Sequence, residues 1–207
     1  MTDRYTGRLK ILEAQEIEEL YGRPRFTHDE RVHFFSLTPE ERGVADRHYD
    51  LTNRVLFILQ AGYFKAKTMF FAFEFNDVSE DVRHILQQHY PRFLDREPTA
   101  PILKQTRHTQ QQRILSLYGY HACNGAERVA LVEKAEQTAR ISAKPIFVFQ
   151  ALVHYLDTRR VVGPGYSFLQ DIRQSSVDNG TRTTHGDLGA PTGSGNARCV
   201  GCSLRRS

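Results

Sequence analysis

Positively charged and amide side chains occur together where the second half of the chain begins. Lys104, Arg107 and Arg113 lie in the same short stretch as three consecutive glutamines, residues 110–112. Lysine and arginine can contact phosphates, while glutamine can pair with adenine and arginine with guanine in the major groove of duplex DNA. These residue types at this spacing favour contact with duplex DNA, although a solvated helix face has the same composition.

More cations follow along the chain, and acids do not balance them. Residues 100–173 hold ten Lys and Arg against five Asp and Glu, whereas residues 1–99 hold 14 against 17. Arg159 and Arg160 also have a second explanation, because cations near a helix C-terminus offset the helix dipole. The predicted DNA-binding residues are Lys104, Arg107, Gln111, Arg113, Arg140, Lys144, Arg159 and Arg160.

Three helices are expected to position these side chains. Apolar residues recur at helical spacing in three blocks between residues 104 and 160, each separated by a break. Gly119 should end the first helix, Asn124 should begin the second, and the third should end near Val162, before a glycine and a proline. The pattern predicts a basic unit of three helices around one core, which is typical of helix-turn-helix DNA binders.

The first half also carries helix signals. Thr27 with Glu30 three residues later has the spacing of a capping box, and Thr38 is followed by a proline and two glutamates. From Asp50 onward the apolar residues follow the stripe of a core-facing helix. The aromatic run at residues 69–75 has no partner strand, so it is predicted to be a loop packed on the first core.

The predicted fold is all-α, with two small helical units of helix-turn-helix type. Residues 1–91 form the first unit, residues 92–104 a proline-containing linker, and residues 105–173 the basic unit. The tail at residues 174–207 holds six of the 14 glycines and no aromatic residue, so it is expected to be disordered.

Composition argues against several classes of function. The N-terminus lacks the apolar segment of a secretory signal, and no apolar run approaches the roughly 18 residues of a membrane span, so a cytoplasmic protein without membrane contact is expected. Cys199 and Cys202 form a C-x-x-C pair without the second pair that a structural zinc site needs. No motif for catalysis or phosphate binding occurs either, so the sequence predicts no enzyme, no metal, no cofactor and no small-molecule substrate.

Several separated strings in this sequence carry a resemblance to a known family. They are, in order, ILEAQEIEELYGRPRFTHDERVHFFSLTPEER, DLTNRVLFILQAGYFK, RILSLYGY and KPIFVFQALVHYLDTRRVVGPGYSFLQDI. Together they resemble the N-terminal region of large bacterial transposases of the Tn-three class, over residues 8–172. The resemblance implies helical DNA-binding domains that recognise the terminal inverted repeats of a transposable element. It also places the catalytic acidic triad and its metal ions several hundred residues further on.

Two hypotheses of function follow. In the first, the chain is a truncated transposase fragment that binds transposon ends in the nucleoid and lacks strand-transfer activity in DNA transposition and recombination. The tail from residue 174 resembles nothing in the family, as a frameshift would produce. In the second, the chain is an interaction or regulatory module that acts on the full-length transposase through its more acidic first unit.

Overall fold

The computed structural model describes residues 11–96, 98, 100–142, 144–169 and 171–172. The predicted tail, with Cys199 and Cys202, lies outside the described residues. The helices are α1 (Ala14–Tyr21), α2 (His28–Phe35), α3 (Pro39–Asp46), α4 (Leu51–Lys67), α5 (Ser79–His89), α6 (Lys104–Tyr118), α7 (Gly125–Ile141) and α8 (Pro145–Thr158). Two short 3₁₀ helices (Phe75–Val78 and Pro91–Phe93) and two short strands, β1 (His121–Ala122) and β2 (Val161–Val162), lie between or after these helices. Residues 166–169 and 171–172 are helical as well. The predicted helical class is confirmed.

Local signals in the sequence begin these helices. Thr27 and Thr38 both form the predicted capping boxes, because each accepts a hydrogen bond from the backbone of a glutamate that bonds back to it. Asp50 accepts a hydrogen bond from the backbone N–H of Asn53 and so caps α4. Asn124 caps α7 in the same way. Free N–H groups at helix starts are thereby satisfied within the chain.

A first core surrounds α4, which is the central helix of the molecule. Every residue from Val55 to Phe64 of this helix is buried. Helices α2, α3, α5 and α6 all pack against it. The predicted packed loop at residues 69–75 is confirmed, since Phe73 and Phe75 are buried in the same core.

A second, smaller core lies between α7 and α8. Leu131 and Ala135 of α7 face Val148 and Leu152 of α8, and all four are fully buried. Residues from distant parts of the chain complete the core, namely Leu12, Val161, Leu169 and Ile172. The partly buried Ile17 and Tyr21 of α1 pack against it as well.

The expected grouping of three helices around one core is wrong. Ile114 and Leu115 of α6 belong to the first core, whereas α7 and α8 form the second. Apolar spacing identifies the face that is buried, but it carries no information on which core buries that face.

The third helix also ends earlier than predicted, at Thr158. The chain then forms β2, which pairs in parallel with β1 so that His121 faces Val161. This short pairing ties the end of α6 to the end of α8, and it links the two cores.

Candidate nucleic-acid interface

Helix α6 carries four of the predicted contact residues, but they do not share one face. Lys104 and Gln111 are seven residues apart and lie on the same side, while Arg113 is nine residues from Lys104 and lies on the opposite side. Lys104 and Arg113 are exposed, and Gln111 is half-buried. The helix therefore presents two separate polar surfaces.

Arg107 is engaged within the fold. Its Nη2 donates to a carboxylate oxygen of Glu74 at 3.1 Å and to the backbone carbonyl of Phe73 at 2.8 Å. The guanidinium also lies 5.6 Å from the centre of the Phe73 ring. With 17% of its side chain exposed, Arg107 holds the 69–75 loop against α6 and is poorly placed for a phosphate.

Gln110, one of the three consecutive glutamines, faces the protein interior. It accepts a hydrogen bond from Gln60 Nε2 at 2.8 Å, and its own Nε2 donates to the carbonyl of Asn53 at 2.9 Å. This buried amide pair joins α6 to α4, so the interpretation of the three glutamines as DNA-contact residues is wrong for Gln110. Helix packing selects Gln110 for the interior, which composition alone cannot show.

Arg113 lies beside the turn that joins α3 to α4. Its Nη1 is 3.4 Å from Nε2 of His48. The pKa of the His48 imidazole lies below its usual value because the ring is partly buried, and next because Arg113 is close. Asp50 raises this pKa and Arg54 lowers it, each with a smaller effect than Arg113. Two nitrogen-bearing side chains therefore meet here, and no carboxylate of the described residues forms an ion pair with Arg113.

A second pair of predicted residues flanks the turn between α7 and α8. Arg140 is the penultimate residue of α7, and Lys144 is the last residue before α8 begins. Both side chains are exposed. The Lys144 ammonium lies 5.8 Å from the centre of the Phe147 ring. Neither cation forms an ion pair within the described part of the chain.

Arg159 and Arg160 lie at the other end of α8. Since α8 has 14 residues, they are separated from Lys144 by about 20 Å at 1.5 Å per residue. Arg159 Nε is 3.8 Å from a carboxylate oxygen of Glu127, and Arg160 Nη1 approaches the carbonyl of Tyr118 at 3.4 Å. These two arginines join neighbouring segments of the fold. The eight predicted residues are thus not one continuous surface.

The α3–α4 turn carries two residues that the sequence did not single out, Arg47 and Tyr49, beside Arg54 of α4, which the sequence indicated only as a weaker candidate for a phosphate contact. Tyr49 is 100% exposed, and Arg47 next to it is exposed as well. Arg54 Nε donates to the carbonyl of His48 at 2.8 Å. Arg47 and Tyr49 before the helix signal at Asp50, with Arg54 one turn after it, were a weak sequence cue, and only the fold brings Arg113 to them.

An apolar groove of about 660 Å³ runs along α8. Leu20 of α1 and Ile146 and Val153 of α8 line it, and each of these side chains is partly exposed. Glu16 and Asp157 add negative charge to its lining, and Lys67 adds a positive one. The face of α8 that points away from the second core is therefore apolar rather than basic.

The described residues contain no group of three or more histidine, cysteine or acidic side chains that could hold a metal ion. In the same part of the chain, no helix combines the length and the apolar character needed to cross a membrane.

The chain is thus a mostly helical protein that exposes two kinds of surface, cations without ion-pair partners among the described residues and an apolar groove along α8. Residues 11–175 match the model of a family described as a domain of unknown function, DUF4158. Because this match covers most of the 207 residues, the chain belongs to that family. Comparison with curated proteins gives no match.

Proposed function

We propose that this chain binds duplex DNA at the terminal inverted repeats of a transposable element, as the DNA-binding part of a Tn-three-class transposase. One observation carries the proposal. Lys104, Arg113, Arg140 and Lys144 are exposed, and none of them forms an ion pair with a carboxylate of the described residues. The resemblance of the sequence strings to that class of transposase supplies the identity of the DNA. No catalytic step is assigned to these residues.

The proposed contacts are mainly electrostatic contacts with phosphates, and contacts with specific bases are secondary. A cation that is not neutralised by a protein carboxylate can replace a counterion on the DNA backbone, and release of that counterion favours binding. Helices α7 and α8 are joined by three residues, a length typical of helix-turn-helix pairs. Arg140 and Lys144 flank this joint and would fix the position of the pair on the phosphates.

Fluorescence anisotropy with a labelled inverted-repeat duplex, titrated at several salt concentrations, tests the proposal. The logarithm of the affinity should fall with the logarithm of the salt concentration with a slope of about −0.9 for each phosphate contacted. Each of the substitutions Lys104→Gln, Arg140→Gln and Lys144→Gln should make that slope less steep by about one. Arg25→Gln is the matched control, because Arg25 is an exposed cation on the loop between α1 and α2. Absence of binding at low salt would contradict the proposal.

The apolar groove favours a second function, that of an interaction module acting on the full-length transposase. Ile146 and Val153 expose apolar surface that no described residue covers, and such surface is typical of protein contacts. Co-purification with the intact transposase, lost on replacement of Val153 by aspartate, would support this function. The same substitution should leave DNA affinity unchanged if the two surfaces act separately.

A further inference from the structure

The turn between α3 and α4 is rigid although its surface is exposed. The backbone N–H of His48 donates to the carbonyl of Ala45 at 3.1 Å, and the His48 carbonyl accepts from Arg54 at 2.8 Å. On the other side of the turn, both carboxylate oxygens of Asp50 are bonded to Asn53, at 2.7 and 2.6 Å. The ring of His48 lies 5.9 Å from that of Phe57 in the first core. Hydrogen bonds therefore hold both ends of the turn, and the contact with Phe57 anchors it to the first core.

Tyr49 stands at the top of this turn without any packing partner. Its ring and hydroxyl are wholly exposed, so the side chain buries no surface in the fold. Tyrosine combines a large apolar ring with a hydroxyl that can bond to a phosphate or a sugar. An unsupported aromatic side chain on a rigid turn is a suitable contact residue.

Charge around Tyr49 favours an anionic ligand. Arg47 is exposed and has no ion-pair partner among the described residues. Asp46 lies 4.0 Å from Arg54 Nη1, and the Asp50 carboxylate is bonded to Asn53. Both acids are thus directed toward the helix start, while the guanidinium of Arg113 faces the imidazole of His48.

Arg113 can only donate in its contact with His48, so Nε2 of the neutral imidazole is the acceptor. Their nitrogens are 3.4 Å apart, and one guanidinium has further N–H groups that no described residue accepts. A phosphate oxygen bound beside them would accept from Arg113 and, once His48 is protonated, from His48 as well. This arrangement has the chemistry of an anion site, and the second core contributes nothing to it.

We propose that the turn surface, formed by Arg47, His48, Tyr49, Arg54 and Arg113, binds the sugar–phosphate backbone of duplex DNA. Arg113 and His48 share one phosphate, and Tyr49 lies against the neighbouring sugar and phosphate. The first core thereby supplies a DNA contact separate from that of Arg140 and Lys144. This inference rests on the proposed function and names a second binding surface for it.

The test compares Tyr49→Ala and Arg113→Gln with the wild-type chain, using the same labelled inverted-repeat duplex and a scrambled duplex of equal length. Each substitution should weaken binding to both duplexes by about three- to tenfold, because backbone contacts carry no base specificity. Arg113→Gln should also lower the salt slope by about one. Arg25→Gln removes an equal charge near the opposite end of α4 and should change the affinity less than twofold.

Proton uptake provides a second readout. His48 faces Arg113 from α6, with Arg54 and Asp50 on its own side, so a bound phosphate would stabilise its protonated form. Wild-type affinity should therefore rise as the pH falls from about 7.5 to 6, and His48→Gln should lose much of that rise.

The outcomes separate this inference from the proposed function. Wild-type binding that is unchanged by Tyr49→Ala and Arg113→Gln, in variants with wild-type circular dichroism, would overturn the turn surface and leave DNA binding intact. A wild-type chain that binds neither duplex at low salt would overturn both.

Discussion

The two cores of this molecule differ in the polarity of their buried side chains and in the apolar surface that their helices leave exposed. The first core contains charged side chains that are satisfied by partners from other helices. The buried polar and charged residues of the described chain all lie there, and they are Glu41, Gln60, Asp81 and Gln110. The second core is formed by apolar side chains, and its helix α8 leaves further apolar residues exposed, among them Ile146 and Val153.

The difference indicates a division of roles. Glu41 accepts from the Tyr118 hydroxyl at 2.5 Å and lies 3.4 Å from Lys65 Nζ, so one carboxylate fixes α3, α4 and α6. Burial, and next the hydrogen bond to Glu41, raise the pKa of Tyr118, which keeps this hydroxyl a donor. Such directional contacts can fix the turn surface in place, whereas an apolar face is adaptable. The first core is a rigid platform, and the second presents a surface that a partner can cover.

The largest expected effect is on stability, from loss of the Asp81 carboxylate. Asp81 bonds Arg31 Nε at 2.7 Å and the Tyr63 hydroxyl at 2.5 Å, with 5% of its side chain exposed. Asp81→Ala leaves the buried Tyr63 hydroxyl without its acceptor and the half-buried Arg31 guanidinium without its buried carboxylate, so the free energy of unfolding should fall by about 3–5 kcal/mol. Urea denaturation followed by circular dichroism measures it.

Glu80 provides the matched control for this prediction. It contacts the same arginine, at 2.6 Å, but 78% of its side chain is exposed. Glu80→Ala should cost at most about 1 kcal/mol, as is typical of surface ion pairs. Equal costs for the two substitutions would show that burial does not distinguish them, and would remove the contrast drawn between the cores.

A smaller effect concerns how closely the helices approach. A Cβ on Gly62 of α4 would lie 2.4 Å from the Phe35 ring, whereas a Cβ on Gly125, at the start of α7, would meet nothing within 4 Å. Gly62→Ala should therefore destabilise the fold by about 1–3 kcal/mol through overpacking. Gly125→Ala should stabilise it by about 0.5 kcal/mol, since alanine restricts the unfolded chain. Urea denaturation distinguishes the two, and a neutral Gly62→Ala would mean that Phe35 can move aside.

Acid pH should lower the free energy of unfolding through His89, which packs beside the first core. His89 Nε2 lies 2.8 Å from the carbonyl of Phe35, and its Nδ1 lies 2.7 Å from Arg42 Nη2. Because Arg42 can only donate, Nδ1 accepts, and a proton there would face a cation. Burial is the main reason that the pKa of His89 is lowered, and Arg42 adds to it.

The sign of the pH effect follows from this lowered pKa. The unfolded chain binds a proton near pH 6.5, and the folded chain does so only at lower pH. The stabilisation is therefore complete above about pH 6.5 and is lost as the pH falls below it. Urea midpoints measured between about pH 7.5 and 5 should decline. His89→Gln, which can keep both hydrogen bonds, should flatten that decline, and an unaltered decline would assign it to other groups.

The sequence was sufficient where the signal was local. Thr27, Thr38 and Asn124 begin their helices as predicted, and Gly119 ends α6 in the left-handed conformation that glycine favours. These features depend on neighbours within one helical turn. The starts of these helices and the helical class could be predicted for this reason, whereas the end of α8 at Thr158 could not.

Contacts between distant residues could not be predicted in this way. Arg107 and Glu74 are 33 residues apart, and Arg113 and His48 are 65 residues apart. Arg107 is paired with the Glu74 carboxylate, whereas Arg113 has no carboxylate partner among the described residues. Nothing in the sequence around the two arginines distinguishes them. Tertiary packing decides which cations remain available, so the composition of residues 100–173 supports a prediction of DNA binding but does not locate the surface.

The smallest expected effect tests the outer face of α8. Val153 is 42% exposed, whereas Val148, five residues earlier on the same helix, is 0% exposed. Valine and threonine have the same branched shape and similar helix propensities, so the substitution of one for the other mainly adds a hydroxyl. Val153→Thr should change the free energy of unfolding by less than about 0.5 kcal/mol, because water satisfies the hydroxyl.

Val148→Thr is the internal control, since it places the same hydroxyl in the second core. The free energy of unfolding should fall by about 1–3 kcal/mol. The loss is smaller if the hydroxyl donates to a backbone carbonyl of the preceding helical turn. A large cost for Val153→Thr in the isolated chain would mean that the chain itself covers this face of α8. A small cost, together with weaker retention of the full-length transposase in a pull-down, would assign the face to a partner, because only the complex would then depend on the lost apolar contact.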